Sequence, residues 1–157
     1  MWKNPFRIAY LLALTACGPD RVRPDGGPLH EGDAWFAWRA GALGLDPAAA
    51  RARDAALPEG GLDDDAPALR AQAALLWQSR CATCHGEDGV PPERPGQPMP
   101  RTWTGMGATM GFTFGGDGMR AGVFRSIAAG KGTAMPPWGG VLAREQIQAL
   151  VTHIESF

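Results

Sequence analysis

The chain has 157 residues, a formal net charge of −1, 45% hydrophobic residues and 20% charged residues. This balanced charge argues against nucleic-acid binding, because domains that bind nucleic acids carry a surplus of basic residues. The length excludes a Rossmann or barrel enzyme. The 22 Gly and 14 Pro predict that much of the chain forms loops, and three Cys are too few for a disulfide scaffold.

The first 16 residues have the pattern of an export signal. Lys3 and Arg7 precede an apolar run at residues 8–16, about half as long as a membrane-spanning helix. Cys17 follows Leu-Thr-Ala directly, an order that resembles the lipobox of bacterial lipoproteins. The resemblance implies that residues 1–16 are removed and that Cys17 is lipidated, on the periplasmic side of a bacterial membrane. The alternative is ordinary signal cleavage that leaves Cys17 as a free thiol.

Residues 17–66 are predicted to form a tether and an N-terminal extension with short helices. Residues 18–34 are rich in Pro, Gly and charge, which is typical of a tether. Residues 35–38 (WFAW) are expected to pack on the main domain, with docking to a partner as the alternative. Asp46 and Pro47 predict a helix start, since Asp can cap a helix and Pro fits its first position; this helix should end near residue 57.

Residues 67–157 are predicted to be an all-α domain. Apolar residues at helical spacing predict one helix from residue 65 or 67 to about residue 80 and another near the C-terminus. The stripes are Leu69, Ala73, Leu76, Trp77 and Ile147, Leu150, Val151, Ile154. A shorter helix is predicted from about residue 119 to 129, and residues 86–118 are predicted to be a loop. Three short helices bury too little to hold such a loop, so another group must complete the core.

Cys81, Cys84 and His85 form a C-x-x-C-H string, the attachment signature for c-type haem. Two thiols one helical turn apart can bond to the two vinyl groups of a porphyrin, and the adjacent imidazole then lies under the iron. A thioredoxin-like pair is one alternative, but it belongs in a βαβ unit, for which no strand pattern exists here. A zinc site is another, but no second Cys/His pair has a suitable spacing.

Met135 is the predicted second axial ligand of the iron. It lies in the sequence GKGTAMPPWGG (residues 130–140), where two prolines favour a stiff, non-helical loop that can hold a thioether in place. The other candidates are Met99, Met106, Met110, Met119, His30 and His153. Met residues are commonly flexible core filler. His153 lies beside the C-terminal stripe and is predicted to be solvated, and His30 lies in the predicted tether.

Four segments together resemble class I cytochrome c, most closely the small single-haem domains related to the c-subunits of respiratory oxidases. They are residues 81–85 (CATCH), 100–104 (PRTWT), 123–127 (VFRSI) and 132–139 (GTAMPPWG). The resemblance covers residues 67–157. It implies a small all-α cytochrome c fold, with three or more helices and long loops wrapped around one covalently bound haem c. The sequence departs from the family at Ala143, where a Ser often caps the last helix.

The resemblance also implies site roles and a function. Cys81 and Cys84 would bind the haem covalently, His85 and Met135 would be its axial ligands, and Arg101, Trp103 and Trp138 would line it. The implied function is single-electron transfer between respiratory or periplasmic redox partners at a membrane surface. The resemblance also allows this role within an oxidoreductase complex. It implies no enzyme activity for the chain itself. The alternative is a haem-based sensor or catalyst of gas or peroxide, in which Met135 leaves the iron.

Overall fold

The computed structural model describes residues 29–60 and 67–157. These residues form six α-helices, α1 (Gly32–Leu43), α2 (Pro47–Ala55), α3 (Pro67–Leu76), α4 (Ala82–His85), α5 (Met106–Ala129) and α6 (Arg144–Glu155), with a π-helical turn at Trp77–Cys81 between α3 and α4. The predicted all-α class is confirmed, since no strand occurs in the described ranges. Nor does any helix within them have the length and apolarity needed to span a bilayer. The predicted export signal and Cys17 lie outside the described residues.

Of the two helices of the N-terminal extension, α2 begins where local chemistry favours it. Asp46 caps α2 by accepting hydrogen bonds from the backbone N–H groups of Ala48 and Ala49 at 2.8 and 2.9 Å, and Pro47 is the first helical residue, as predicted. Helix α1 starts at Gly32, within the segment predicted to be a tether. That prediction was wrong for residues 32–34, because composition does not report the packing that orders them.

The extension packs on the domain, as predicted for its aromatic residues. Trp35 is completely buried and shares a core cluster with Leu69 and Ala73 of α3 and with Ala143 and Ala149 at the C-terminal end. Burying an aromatic side chain of this size stabilises a fold by about 2–3 kcal/mol. Trp35 therefore attaches α1 to both α3 and α6, which themselves pack against each other.

Polar contacts from α1 and α2 hold the N-terminus of α6. Asp54 accepts hydrogen bonds from the backbone N–H groups of Arg144 and Glu145 at 3.0 and 2.8 Å. It thereby supplies, from 90 residues away, the cap that Ala143 cannot provide. Burial raises the pKa of the Asp54 carboxyl, and the two N–H groups oppose that rise. Glu145 is buried and accepts hydrogen bonds from Arg39 at 2.8 and 2.9 Å and from Arg53 at 2.9 Å.

The buried Glu145 group gives a first prediction, on stability. Replacing Glu145 with Gln removes the carboxylate to which the buried guanidinium of Arg39 donates, and breaking a buried ion pair costs about 3–5 kcal/mol in comparable cases. We expect a loss of this size in the free energy of unfolding of the haem-loaded protein, measured with denaturant. The matched control is Glu59→Gln, because Glu59 pairs with Arg125 at 3.1 Å on the surface, where a pair contributes about 0–1 kcal/mol. Equal losses in both variants would contradict the prediction.

The C-terminal half of the chain forms the main core. The apolar stripes predicted for α3 and α6 are confirmed: each of their residues is buried, with at most 4% of its surface exposed. The residues beside the α6 stripe, Glu145, Gln146 and Gln148, are buried as well, because the extension covers that face. Gln146 donates to the carbonyl of His30 at 2.7 Å, and Gln148 donates to the carbonyl of Pro58.

Helix α5 is longer than the sequence predicts. It begins at Met106 rather than near Met119, and it kinks at Gly116, whose backbone leaves the helical region. The prediction of a loop up to residue 118 was therefore wrong for its last part. Glycine disfavours helix, but the first half of α5 buries Ala108 and Phe112, four residues apart on one face. That burial offsets the conformational cost of its glycines.

Candidate haem site

The C-x-x-C-H motif continues the helix begun by α3. The π-helical turn at Trp77–Cys81 leads directly into α4, which holds the rest of the motif, so the helix ends at His85 and not near residue 80. Such single π turns insert one extra residue and are frequent at functional sites. Gly86 ends the helix with a positive φ of 79°, and a Cβ there would overlap the carbonyl of Val90. The motif is thus fixed between a π turn and an obligatory glycine.

The two motif cysteines are free, partly buried thiols. Burial, and to a smaller extent the neighbouring Cys84, raises the pKa of the Cys81 thiol to about 11. Cys84 accepts a hydrogen bond from Nη1 of Arg94 at 2.8 Å. The two sulfur atoms therefore have different surroundings: Cys81 borders the main core cluster, whereas Cys84 meets a cation.

His85 ends the motif, with its ring beside that of Trp77. The centroids of the two rings are 5.8 Å apart, and the indole Nε1 of Trp77 donates to the carbonyls of Gly86 and Glu87 at 3.0 and 3.1 Å. Burial lowers the pKa of His85, and the nearby backbone carbonyl of Arg101 partly opposes this. Its Nδ1 is buried without a hydrogen bond of normal geometry. A neutral imidazole held in this way is suited to binding a metal ion.

Met135 lies in a narrow turn after α5. Lys131 and Met135 pair through two backbone hydrogen bonds of 3.0 and 3.3 Å, which close a small loop. Gly130 begins this loop with a φ of 74°, and a side chain there would strike the Met135 and Pro136 backbone. The loop is non-helical, as predicted from its prolines, and the Lys131–Met135 pair closes it. Met135 is half-buried and packs against the main core cluster.

The other three predicted site residues surround the same region. Trp103 is half-buried, and its indole Nε1 is buried without a hydrogen-bond partner. Arg101 is exposed, with its guanidinium carbon 5.1 Å from the centre of the Trp103 ring. Trp138 is half-buried, and its backbone N–H donates to the carbonyl of Ile127 at 3.0 Å, which ties the loop after Met135 to α5.

One apolar cluster brings most of these residues together. Cys81, Trp103, Met135 and Trp138 all pack against it, and its buried members come from α3, the π turn, α5, α6 and the loop before α6. They are Leu76, Trp77, Phe112, Val123, Phe124, Ile127, Leu142, Ile147, Leu150, Val151 and Ile154. His85 joins the cluster through Trp77. Two motifs fifty residues apart in sequence therefore border one apolar interior.

Sequence reasoning missed two neighbours of the site. His153, predicted to be solvated, is half-buried, and its ring lies 5.9 Å from Trp77 and 5.0 Å from Phe157. That prediction was wrong because the C-terminal Phe157 folds back onto the helix beside it. The contact of Arg94 with Cys84 has no sequence signal, since nothing in the spacing of the Arg94 loop relates the two residues. His30 is not part of a free tether either; it stacks on Trp38 at 5.7 Å.

His153 gives a second prediction, on pH dependence. Burial lowers its pKa from 6.5, so the folded state binds fewer protons there than the unfolded chain does. Its contribution to stability is complete above pH 6.5 and is lost as the pH falls through the lowered folded pKa. We expect the wild-type protein to lose more stability than His153→Gln between pH 7.5 and 5, measured by denaturant unfolding. Parallel pH profiles for the two proteins would contradict this.

Comparison with known proteins places the chain in a family. The family "Cytochrome C oxidase, cbb3-type, subunit III" matches residues 68–154, more than half of the chain. The chain belongs to this family. This cbb3-type domain is 32% identical over 98 residues to the Cbb3-type cytochrome c oxidase subunit FixP of Azorhizobium caulinodans, an alignment covering 62% of the chain and 30% of FixP. It is 31% identical over 96 residues to subunit CcoP of Cereibacter sphaeroides, covering 60% of the chain and 29% of CcoP.

The chain therefore spans less than a third of the length of these curated relatives. No solved structure matches it. Membership confirms the prediction of a c-type cytochrome domain, and such a domain implies haem c as its cofactor.

The residues present fit that cofactor. The motif offers two unbridged thiols and a partly buried imidazole, and the indole Nε1 of Trp103 is a buried polar atom without a hydrogen-bond partner. Buried polar atoms are rarely left unpaired in folded proteins, so the Trp103 Nε1 marks a place where another group belongs. An apolar macrocycle with polar edge groups suits these surroundings: its face fits the core cluster, and its edge can accept from an indole N–H.

Proposed function

We propose that this cbb3-type domain is a carrier of single electrons, with one haem c bound through Cys81 and Cys84. His85 and Met135 are the proposed axial ligands of the iron. A haem held on both faces has no open position for a substrate, so reversible Fe(III)/Fe(II) exchange is the chemistry it supplies. The observation that most supports this proposal is that the two ligand motifs, far apart in sequence, border one apolar cluster.

The residues of the chain have distinct parts in this function. The buried Trp77 and the core cluster exclude water from the His85 side, and a dry, apolar surrounding disfavours the more highly charged Fe(III). A thioether from Met135 has the same effect on the potential. We propose that the Nε1 of Trp103 and the guanidinium of Arg101 bind the propionate groups, since a buried donor and an exposed cation suit a carboxylate. Trp138 closes the Met135 side.

A redox titration of the purified protein with optical detection tests this proposal. We expect one reversible one-electron transition and, in the oxidised form, the sulfur-to-iron charge-transfer band. Carbon monoxide added to the reduced protein should leave its spectrum nearly unchanged. Rapid and complete binding of carbon monoxide would instead favour the alternative, a haem-based sensor or catalyst of gas or peroxide in which Met135 leaves the iron.

We further propose that the protein works at the periplasmic side of a bacterial membrane, held by a lipid on Cys17. In this proposal residues 1–16 are the lipoprotein signal, residues 17–66 are the tether and extension, and residues 67–157 are the cytochrome c domain. Its relatives are named as subunits of cbb3-type oxidases, which supports redox proteins of a respiratory membrane as electron donor and acceptor. Tethering near them raises the effective concentration.

Labelled fatty acid uptake in a bacterial host tests the anchor. The wild-type chain should incorporate label and fractionate with membranes, and Cys17→Ser should do neither. Absence of label from the wild-type chain would remove the lipid anchor and leave the electron carrier standing.

A further inference from the structure

Arg94 contacts the proposed haem attachment point from outside the motif. It lies in the loop between α4 and α5, is half-buried, and donates from Nη1 to Sγ of Cys84 at 2.8 Å. Its loop is stiffened by Pro91, Pro92 and Pro95, because each proline fixes its backbone φ. The backbone N–H of Gln97 also donates to the carbonyl of Arg94 at 3.1 Å. The guanidinium is thus held in place by a rigid segment.

The surroundings of Arg94 leave its charge uncompensated within the described part of the chain. Glu87, Asp88 and Glu93 are close in sequence, but all three are exposed and none forms an ion pair with Arg94. By contrast, Arg80, next to the other motif cysteine, pairs with Glu31 at 3.0 Å. An arginine that meets a sulfur atom in preference to nearby carboxylates places a full positive charge at the Cys84 side of the site.

We propose that Arg94 is a positioning residue that raises the reduction potential of the haem through its charge at Cys84. The inference depends on the proposed function, because it requires Cys84 to carry the haem. The oxidised centre has one more positive charge than the reduced centre. A fixed cation nearby therefore disfavours Fe(III) relative to Fe(II). Reduction takes up one electron from the donor and moves no proton at Arg94, and the next transfer releases that electron to the acceptor.

Redox titration of holoprotein variants tests this role. Arg94→Gln removes the charge, and we expect its equilibrium constant for reduction to fall at least about threefold, a drop of about 28 mV at 59 mV per tenfold change. Arg94→Lys keeps the charge and should stay closer to the wild type. The matched control is Arg51→Gln, which changes the net charge by the same amount but at α2, where Arg51 pairs with Asp33. The reduction potential of this control should equal that of the wild type.

The charge-transfer band of each oxidised variant must be unchanged, so that a shift in potential is not due to a lost ligand. Equal shifts in Arg94→Gln and Arg51→Gln, or an Arg94→Gln potential equal to that of the wild type, would overturn the inference.

Should Arg94→Gln bind no haem, Arg94→Met provides a second neutral variant with an apolar stem. If neither neutral variant acquires haem while Arg94→Lys does, the charge serves attachment and the proposed effect on potential is wrong. A wild-type protein without covalent haem would instead overturn the proposed function.

Discussion

Replacing both motif cysteines with serine (C81S/C84S) should give a chain without covalent haem that does not fold. Cys81 borders the main core cluster, and the proposed macrocycle completes the interior between α3, α5 and α6. A cofactor that binds only the folded chain contributes its binding free energy to stability, so its loss removes that contribution entirely. The measurements are the mass of the intact chain and its circular dichroism.

The matched control for this variant is Ser79→Ala, because Ser79 lies on the exposed side of the same π turn and donates to the carbonyl of Leu75 at 2.8 Å. It should keep both haem and helix content. A C81S/C84S chain that remains cooperatively folded at room temperature would show that the protein core is sufficient by itself, contrary to this prediction.

Replacing Met135 with Ala should retain the haem and change its chemistry. With the thioether absent, the iron gains an open position and loses a ligand that stabilises Fe(II). We expect the charge-transfer band to disappear, carbon monoxide to bind quickly, and the potential to fall on the order of 0.1 V, part of the span of about 0.8 V set by axial ligands. Optical spectra and redox titration measure all three effects.

Two other methionines serve as references for this result. Met99 is 62% exposed, so Met99→Ala should leave the spectrum and potential unchanged. Met119 packs against the same core cluster as Met135, which makes it the sharper comparison. If Met119→Ala abolished the charge-transfer band while Met135→Ala kept it, the axial ligand would be Met119 and the assignment to Met135 would be wrong.

The predicted helices that the structure confirms are those with a strong local signal. Leu69, Ala73, Leu76 and Trp77 repeat at helical spacing, and all four are buried. The start of α2 was equally predictable, because Asp46 and Pro47 determine it through neighbouring backbone groups. The candidate site could be proposed in the same way, because C-x-x-C-H and the loop around Met135 are each a short run of consecutive residues with a local signal.

The features that sequence reasoning missed depend on distant partners. The first half of α5 is helical in spite of its glycines because Phe112 is buried in a core contributed by other helices. Arg94 lies ten residues after Cys84, in a loop whose path is not encoded in its composition. The π turn before the motif has no recognised sequence signal. Helix α6 shows both outcomes in one element: its apolar stripe was predicted, but the burial of Glu145 beside it was not.

The cap that Asp54 provides for α6 has a consequence for how the chain is made. Asp54 leaves the ribosome about 90 residues before Arg144, the residue whose N–H group it accepts from. Such contacts of high sequence separation slow folding, because a long loop must close before they form. The polar contacts of α1 and α2 with α6 can therefore form only after the last helix has been synthesised. A shortened gene that starts at the family boundary near residue 68 would release a last helix without the Asp54 carboxylate at its N-terminus and Glu145 without either arginine.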